Sequence, residues 1–297
     1  MRVALVSARV SEGHDDDAPL LIAALTARGA HVEVVDWDDP GAAWGSFDLA
    51  VIRSTWDYTQ RLDDFLEWTE VAGAMTRLHN DPCVITWNCD KRYLLDLIAA
   101  GIAVVPTEYL DPGDLVVLPA AGEFVVKPTV SAGSRDTARY GTSSDRQPQR
   151  EAIAHVDRLL NEGRTVMVQP YQRSVDEKGE TALIYFGGEF SHAVGKAALL
   201  QPDAQPTSAL FAPESITTRE ASDDERALGA AVILSLASIP ALAEVEWPPL
   251  YARIDVVEAD DATMRVLEVE LIEPSLFLPT AAGAAERFAD SIVAAAR

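Results

Sequence analysis

YARIDVVEADDATMRVLEVE, residues 251–270, reads as two strands joined by an acidic turn over Glu258 to Thr263. Side chains along a strand alternate with a period of two. In the first strand Arg253 and Asp255 therefore share one face, and Ala252, Ile254 and Val256 share the other. In the second, Glu268 and Glu270 lie opposite Leu267, Val269 and Leu271. Paired around the turn, the strands set Arg253 across from Glu268 and gather three carboxylates and an arginine on one face with an apolar backing. Carboxylates this close repel one another unless a cation sits among them, which is the chemistry of a magnesium site with an arginine beside it. A solvated face of an antiparallel sheet has the same pattern, so the hairpin alone leaves both readings open.

The rest of the chain narrows the choice. Its 297 residues suffice for two or three domains, and 48% hydrophobic with 24% charged residues is ordinary for a globular protein. A net charge of −23 repels phosphate backbones and anionic membranes, so no nucleic-acid or membrane partner is expected. Any anionic ligand must be held by local cations. The two cysteines, Cys83 and Cys89, have neither zinc-like nor redox-like spacing and point to free thiols in a reducing cytoplasm. MRVALVSARV lacks a signal-peptide pattern, and no apolar run approaches membrane-spanning length. The five histidines are scattered, and the apolar surface pattern is too diffuse to define an oligomer interface.

Residues 1 to about 85 alternate between strands (Arg2–Ala8, His31–Trp37, Phe47–Ser54) and a helix, Leu20–Arg28, with Pro19 near its start and Gly29 after it. This βαβ rhythm implies a parallel sheet whose ligands gather at the carboxyl ends of the strands. Ser54, Thr55, Trp56 and Asp57 lie at such an end and are candidates for binding substrate; a turn packing its aromatics on the next helix is the plain alternative. No glycine-rich loop follows the first strand, which disfavours a nicotinamide-binding domain. Asp90 reads as the N-cap of a helix Lys91–Ala100, closed by Gly101. Phe124–Pro128 is a strand followed by a small polar loop, Thr129–Thr137. A helix near Arg150–Leu160 and a strand Thr165–Gln169 complete an α+β unit. Glu180–Phe186 and Phe190–Lys196 form a hairpin across Gly187-Gly188, Ala197–Ser222 reads as a long loop, and Ser222–Ser238 and Ala281–Ala296 as helices.

Several residues in this frame carry chemistry. Lys127 ends an apolar strand just before Ser131, Gly133 and Ser134, a loop whose amides form an anion cradle beside a point charge. Lys91, at a helix start, opposes the helix dipole, which suggests another task. Lys196 shares a strand face with His192 and Val194. Gln169-Pro170-Tyr171-Gln172 leaves a strand as an adenine-binding hinge requires, and Glu180 follows where a ribose-binding acid is useful. Each has a plain alternative, an exposed lysine or a simple linker, and their order along the chain is what ties them together.

That order resembles the ATP-grasp superfamily of carboxylate–amine ligases, in the style of its glutathione synthetase and ribosomal-protein-S6-modifying branch. The similarity runs through DKRYLLDLIAAGIAVVPT (90–107), FVVKPTVSAGS (124–134), VMVQPYQ (166–172), GETALIYFGGEFSHAVGK (179–196) and YARIDVV with VLEVELIEPSL. STWDY, WNCDK and ELIEPS look most like the D-cycloserine synthetase family, the O-ureido-D-serine cyclo-ligases. The resemblance implies an α/β fold with an α+β lid: a parallel βαβ substrate domain (1–87), a central lid subdomain (88–168) and a C-terminal subdomain with the metal site (169–297), clamping ATP. It implies that Lys91 and Lys127 contact the nucleotide phosphates, that Thr129–Arg135 is the lid loop, and that Gln169–Gln172 is the hinge with Glu180 on the ribose. Asp255, Glu268 and Glu270 then hold magnesium, and Arg253 faces the phosphate with Lys127 as the catalytic pair. Two departures stand out: most relatives carry Asn where Glu270 stands, and Glu where Gln169 stands.

The implied reaction transfers the γ-phosphoryl group of ATP to a small amino-acid carboxylate, and a nitrogen of the same molecule attacks the acylphosphate. Lys196, with the Ser54–Asp57 segment, is the candidate contact for the amino acid. An intermolecular ligase of the same fold, joining two amino acids or modifying a peptide, is one alternative. A nucleotide-binding regulatory protein without catalysis is another, against which the retained lysines and carboxylates argue.

Overall fold

The N-terminal alternation folds as a parallel sheet requires. In the computed structural model, which describes residues 1–141, 147–202, 205–207, 209 and 214–297, β1 (Arg2–Ser7), β2 (His31–Asp36), β3 (Leu49–Ser54) and β4 (Arg77–His79) pair in the order β2-β1-β3-β4. β3 is buried throughout and β1 from Val3 onward, because helices cover both faces of such a sheet. The covering helices include α1 (Ala18–Ala27), with proline in its first turn, and α2 (Leu62–Met75).

The expected helix Lys91–Ala100 is shorter than expected and follows a separate short helix. α3 (Pro82–Asn88) ends, the chain turns, and α4 begins at Tyr93 and runs to Ala99. Asp90 accepts the amide of Arg92 at 2.9 Å instead of capping a helix that starts at Lys91. Lys91 thus sits in the turn, its own amide donating to the Thr129 carbonyl at 3.0 Å, and the dipole argument for it does not apply.

A second sheet is antiparallel, with β5 (Glu108–Leu110), β6 (Glu123–Pro128), β7 (Ala138–Gly141) and β8 (Val166–Pro170) in the order β5-β8-β6-β7. α5 (Gln147–Asn161) covers it with Ala152, His155, Val156 and Leu159, the spacing of one helix face. After α6 (Ser174–Lys178), β9 (Glu180–Phe186), β10 (Glu189–Lys196), β11 (Ile216–Arg219), β12 (Tyr251–Glu258) and β13 (Met264–Glu270) form the third sheet, order β11-β10-β9-β12-β13. β11 corrects the reading of 197–222 as all loop. ITTR has no apolar alternation to signal a strand, yet it pairs with the edge of β10. Residues 203–204, 208 and 210–213 of that stretch lie outside the described residues.

α7 (Asp223–Leu236) opens on a capping box of Ser222 and Glu225 and packs on one face of the third sheet. Gly229 permits the approach: a Cβ there would lie 2.3 Å from the Tyr185 hydroxyl oxygen. Tyr93, Leu94, Leu97, Ile102 and Val104 join this core, so the chain from 88 to 104 packs with the third sheet as well as leading into the second. α8 (Ala284–Ala295) covers the opposite face, with Phe288 stacked on Phe186 at 4.6 Å, and meets α1 in one core shared by the first and third sheets. Among the described residues no helix is long and apolar enough to cross a membrane.

Candidate active site

Between the second and third sheets lies a cavity of about 470 Å³, within the usual range for small-molecule sites. β12 and β13 supply its charged wall, β6 and β8 face them, and the loops after β1 and β3 close one end.

The hairpin that forms the charged wall is shifted from the simple register. Arg253 pairs with Glu270, and Asp255 pairs with Glu268, because a bulge at Asp255–Val256 leaves Leu267 without a partner opposite. The bulge also turns Leu267 away from the apolar backing of Val269 and Leu271. It lines the cavity with Val257 and packs against the cluster of Val105, Tyr171 and Val175 at the hinge.

The cations among these carboxylates are the protein's own. Arg253 Nε and Nη2 donate to Asp255 at 2.9 and 3.1 Å, and Nη2 also reaches Glu270. Lys196 Nζ lies 2.9 Å from Asp255, 3.4 Å from Glu180 and 3.4 Å from Glu214. Lys91 Nζ is 3.2 Å and Lys127 Nζ 3.9 Å from Glu268. Acids and bases alternate instead of forming a bare acidic trio, and among the described residues no set of three or more His, Cys, Asp or Glu side chains is gathered as a metal cage.

This pairing sets the protonation of each group. Burial pushes the Asp255 carboxyl up, but Arg253 and Lys196 outweigh it and hold it below its ordinary value. Glu268 is likewise held low, since Lys91 and Lys127 overcome its burial. Glu270 differs: burial prevails over Arg253, with Glu268 adding repulsion, and pushes it to about 7. Lys127 is pulled below the usual lysine value by burial, which Glu268 only partly offsets. Glu180 is raised by burial in spite of Lys196. Two ionised hard oxygen donors and a third poised near neutrality suit magnesium and not a soft metal.

The other nucleotide candidates line the same cavity: Ser131, Gly133, Ser134, Gln169, Pro170, Tyr171 and Glu180. Lys91 Nζ donates to the Ser131 carbonyl at 2.7 Å and to its hydroxyl at 3.1 Å, which joins the loop after β6 to the turn before α4. Gln169 is held by Thr107 at 2.8 Å. Tyr171 lies under the Arg139 guanidinium, 3.6 Å from its ring centre, and donates to Asp176 at 2.7 Å.

The substrate candidates after β3 divide. Trp56 lines the cavity; Ser54, Thr55 and Asp57 do not. Ser54 Oγ is 2.9 Å from Ser7 Oγ, Thr55 is fully buried, and Asp57 accepts from Trp37 Nε1 at 3.0 Å and from Arg61. The polar groups of Ser54 and Asp57 are turned into the N-terminal domain because that is where their partners are. Lys196 lines the cavity too, held among Glu180, Glu214 and Asp255.

What the strand patterns miss is the irregular stretch after β13. Glu273, Ser275 and Phe277 line the cavity, as do Asn88, Tyr58 and the loop from His14 to Asp17. Phe277 has φ +51°, uncommon for a bulky residue. The amides on either side of it, Leu276 and Leu278, each donate to the buried Asp17 carboxylate at 2.6 Å. Arg253 sits 5.6 Å from the Phe277 ring centre. Burial, and then the charge of Glu270, pushes Glu273 to about 8. The one local signal is ELIEPS itself, where period-two alternation stops.

Comparison with known proteins shows the family and the fold. Residues 3–80 match the family model described as D-cycloserine synthetase DcsG, N-terminal domain. The cycloserine biosynthesis protein DcsG of Streptomyces lavendulae is 39% identical over 299 residues, covering 98% of this chain and 97% of that protein. The crystal structure of D-cycloserine synthetase DcsG superposes with a TM-score of 0.89 at 37% identity over the whole of both chains. A D-alanine–D-alanine ligase from Bacillus anthracis, 17% identical, shares the fold at a TM-score of 0.69 over 100% of this chain and 97% of its own. The chain shares its fold with ATP-grasp ligases, and it belongs to the D-cycloserine synthetase family.

Proposed function

We propose that this ligase closes O-ureido-D-serine through its own carboxylate, using ATP and magnesium, in D-cycloserine biosynthesis. The observation that carries the reading is the alternating network of Arg253, Asp255, Glu268 and Glu270 with Lys91, Lys127 and Lys196 on one wall of the cavity. A carboxylate resists attack because its charge repels nucleophiles and its oxide leaves poorly. Phosphorylation turns that oxide into a leaving group, a nitrogen of the same molecule displaces phosphate to form the ring C–N bond, and water cleaves the carbamoyl group from that nitrogen, releasing it as carbon dioxide and ammonia.

Lys91 and Lys127, buried beside Glu268, are placed to exchange that carboxylate for phosphate oxygens when nucleotide enters, so two buried charges trade partners without losing them. Asp255, Glu268 and Glu270 would hold magnesium, which neutralises phosphate charge when bound. Arg253, fixed by Asp255 and capped by Phe277, presents a fixed positive group where charge grows on the transferring phosphoryl group. Val125, Tyr171, Val257 and Leu267 offer an apolar slot beside Glu180, suited to an adenine ring with its ribose. The loop over 129–137, tied through Ser131 to Lys91, is placed to keep water from the acylphosphate. Joined reactants need mainly folding and orientation, an advantage of roughly 7–11 kcal/mol for well-aligned groups.

Incubating the protein with ATP, magnesium and O-ureido-D-serine alone tests the reading. ADP, phosphate and a ring product appear without any added acceptor. A strict requirement for a second amino acid or peptide would remove the cyclo-ligase assignment.

A further inference from the structure

Among the buried carboxylates on this side of the molecule, Glu273 is set apart by what its side chain lacks. It lines the cavity and is 8% exposed, yet among the described residues no other side chain donates to it and no cation pairs with it within 4 Å. Asp255, Glu268 and Glu270 each have a lysine or arginine, Asp17 has two amides, and Asp57 has an indole and a guanidinium.

The segment that carries Glu273 is nevertheless firmly held, by its main chain. Trp56 Nε1 donates to the Glu273 carbonyl at 3.1 Å, Arg53 Nη2 to the Pro274 carbonyl at 3.0 Å, and Asp17 accepts from the next two even-numbered amides. Three residues of the N-terminal domain thus fix the backbone and leave the carboxylate unspent. A largely buried carboxyl group with only its own amide to bond it is costly to ionise, and a ligand cation offsets that cost.

We propose that Glu273 is the receptor for the ammonium group of the amino-acid substrate, and that Trp56 positions it. This rests on the cyclo-ligase reading and adds the recognition of the amino acid to it. In an α-amino acid the ammonium and carboxylate groups share one carbon, so the receptor must stand close to the place where the carboxylate is phosphorylated. Glu273 follows Glu270 by three residues, at most about 11 Å of extended chain. An ammonium has three donors and no acceptor, which matches an acceptor-only carboxylate.

Steady-state kinetics of Glu273→Gln in the full chain, with ATP and O-ureido-D-serine varied separately, tests this. The KM for the amino acid rises at least about 30-fold, as when one partner of a buried charge pair is removed, while the KM for ATP and kcat stay within about threefold. The analogue lacking the amino group is a poor substrate for the unaltered protein, and Glu273→Gln leaves its KM unchanged. An unchanged amino-acid KM, or a collapse of kcat at saturating substrate, overturns the assignment. Should Glu273→Gln fail to fold, Trp56→Phe decides: a rise of about fivefold in the same KM, as expected for losing a neutral hydrogen bond, supports the proposal, and no rise overturns it. Turnover by the unaltered protein judges the cyclo-ligase reading, and the KM of the variants judges Glu273.

Discussion

The charged face of β12 and β13 and the Ser54–Asp57 segment after β3 are both polar, both largely buried and both close to the cavity, yet they use their hydrogen bonds differently. On the first, each charge is paired with another group that also lines the cavity, so a ligand entering there can exchange partners at little cost in buried charge. In the second, Ser54 and Asp57 are bonded to Ser7, Trp37 and Arg61 inside the N-terminal domain. Breaking those bonds costs stability and frees no group for a ligand in the cavity. Clustered polar residues therefore mark a site only when their partners are themselves accessible to ligand.

Substitution can break or sharpen this contrast. The largest effect is expected for Glu268→Gln, which removes the charge that balances Lys91 and Lys127: ADP release at saturating substrates falls by about 10²–10³, as for loss of a preorganised charge at a reacting centre. Undiminished turnover would put the charged wall on the same footing as Ser54–Asp57. Lys127→Met comes next, raising the apparent KM for ATP by at least about tenfold through loss of a charge-assisted phosphate contact. Asp57→Ala is expected to do the reverse, leaving both KM values unchanged while urea unfolding shows a loss of about 1–3 kcal/mol from the buried Trp37 donor left without an acceptor. A raised amino-acid KM in that variant would return Asp57 to the substrate.

Acid probes the support beneath the cavity. His192, whose Nε2 lies 2.9 Å from the Leu276 carbonyl, is pushed down to about 4 chiefly by burial. Its native form stays neutral between pH 6.5 and 4 while the unfolded chain takes up a proton, so its contribution is intact above pH 6.5 and is lost as pH falls toward 4. Urea unfolding at pH 7, 5.5 and 4 should show a cumulative loss of about 3 kcal/mol that His192→Phe removes. The smallest effect belongs to Ser54→Ala, about 1 kcal/mol or less with unaltered kinetics, since it ends a single neutral hydrogen bond.

Much of the third sheet was legible from residue order. Arg253, Asp255, Glu268 and Glu270 share one face because alternation is local, and Lys127 lies in the cavity because it ends an apolar strand. Lys91 was legible as a site lysine through its motif but not through the helix dipole, for the helix starts two residues later. Glu273 was not singled out, since nothing in ELIEPS tells which of its acids will find a cation. Asp57 shows the limit of local reading, because an acid at a strand end looks the same whether its partner is a ligand or an internal indole.

From its residues alone this chain shows which segments become strands, which charges share a face and which family it joins, all properties set by neighbours a few positions apart. The tertiary structure decided the rest: the bulge that matches Asp255 to Glu268, the inward turn of Ser54 and Asp57, and the backbone ties that hold Glu273 in the cavity. Those ties join residues 217 to 261 positions apart, and a hydrogen bond across that span depends on how whole sheets pack, which no local pattern encodes.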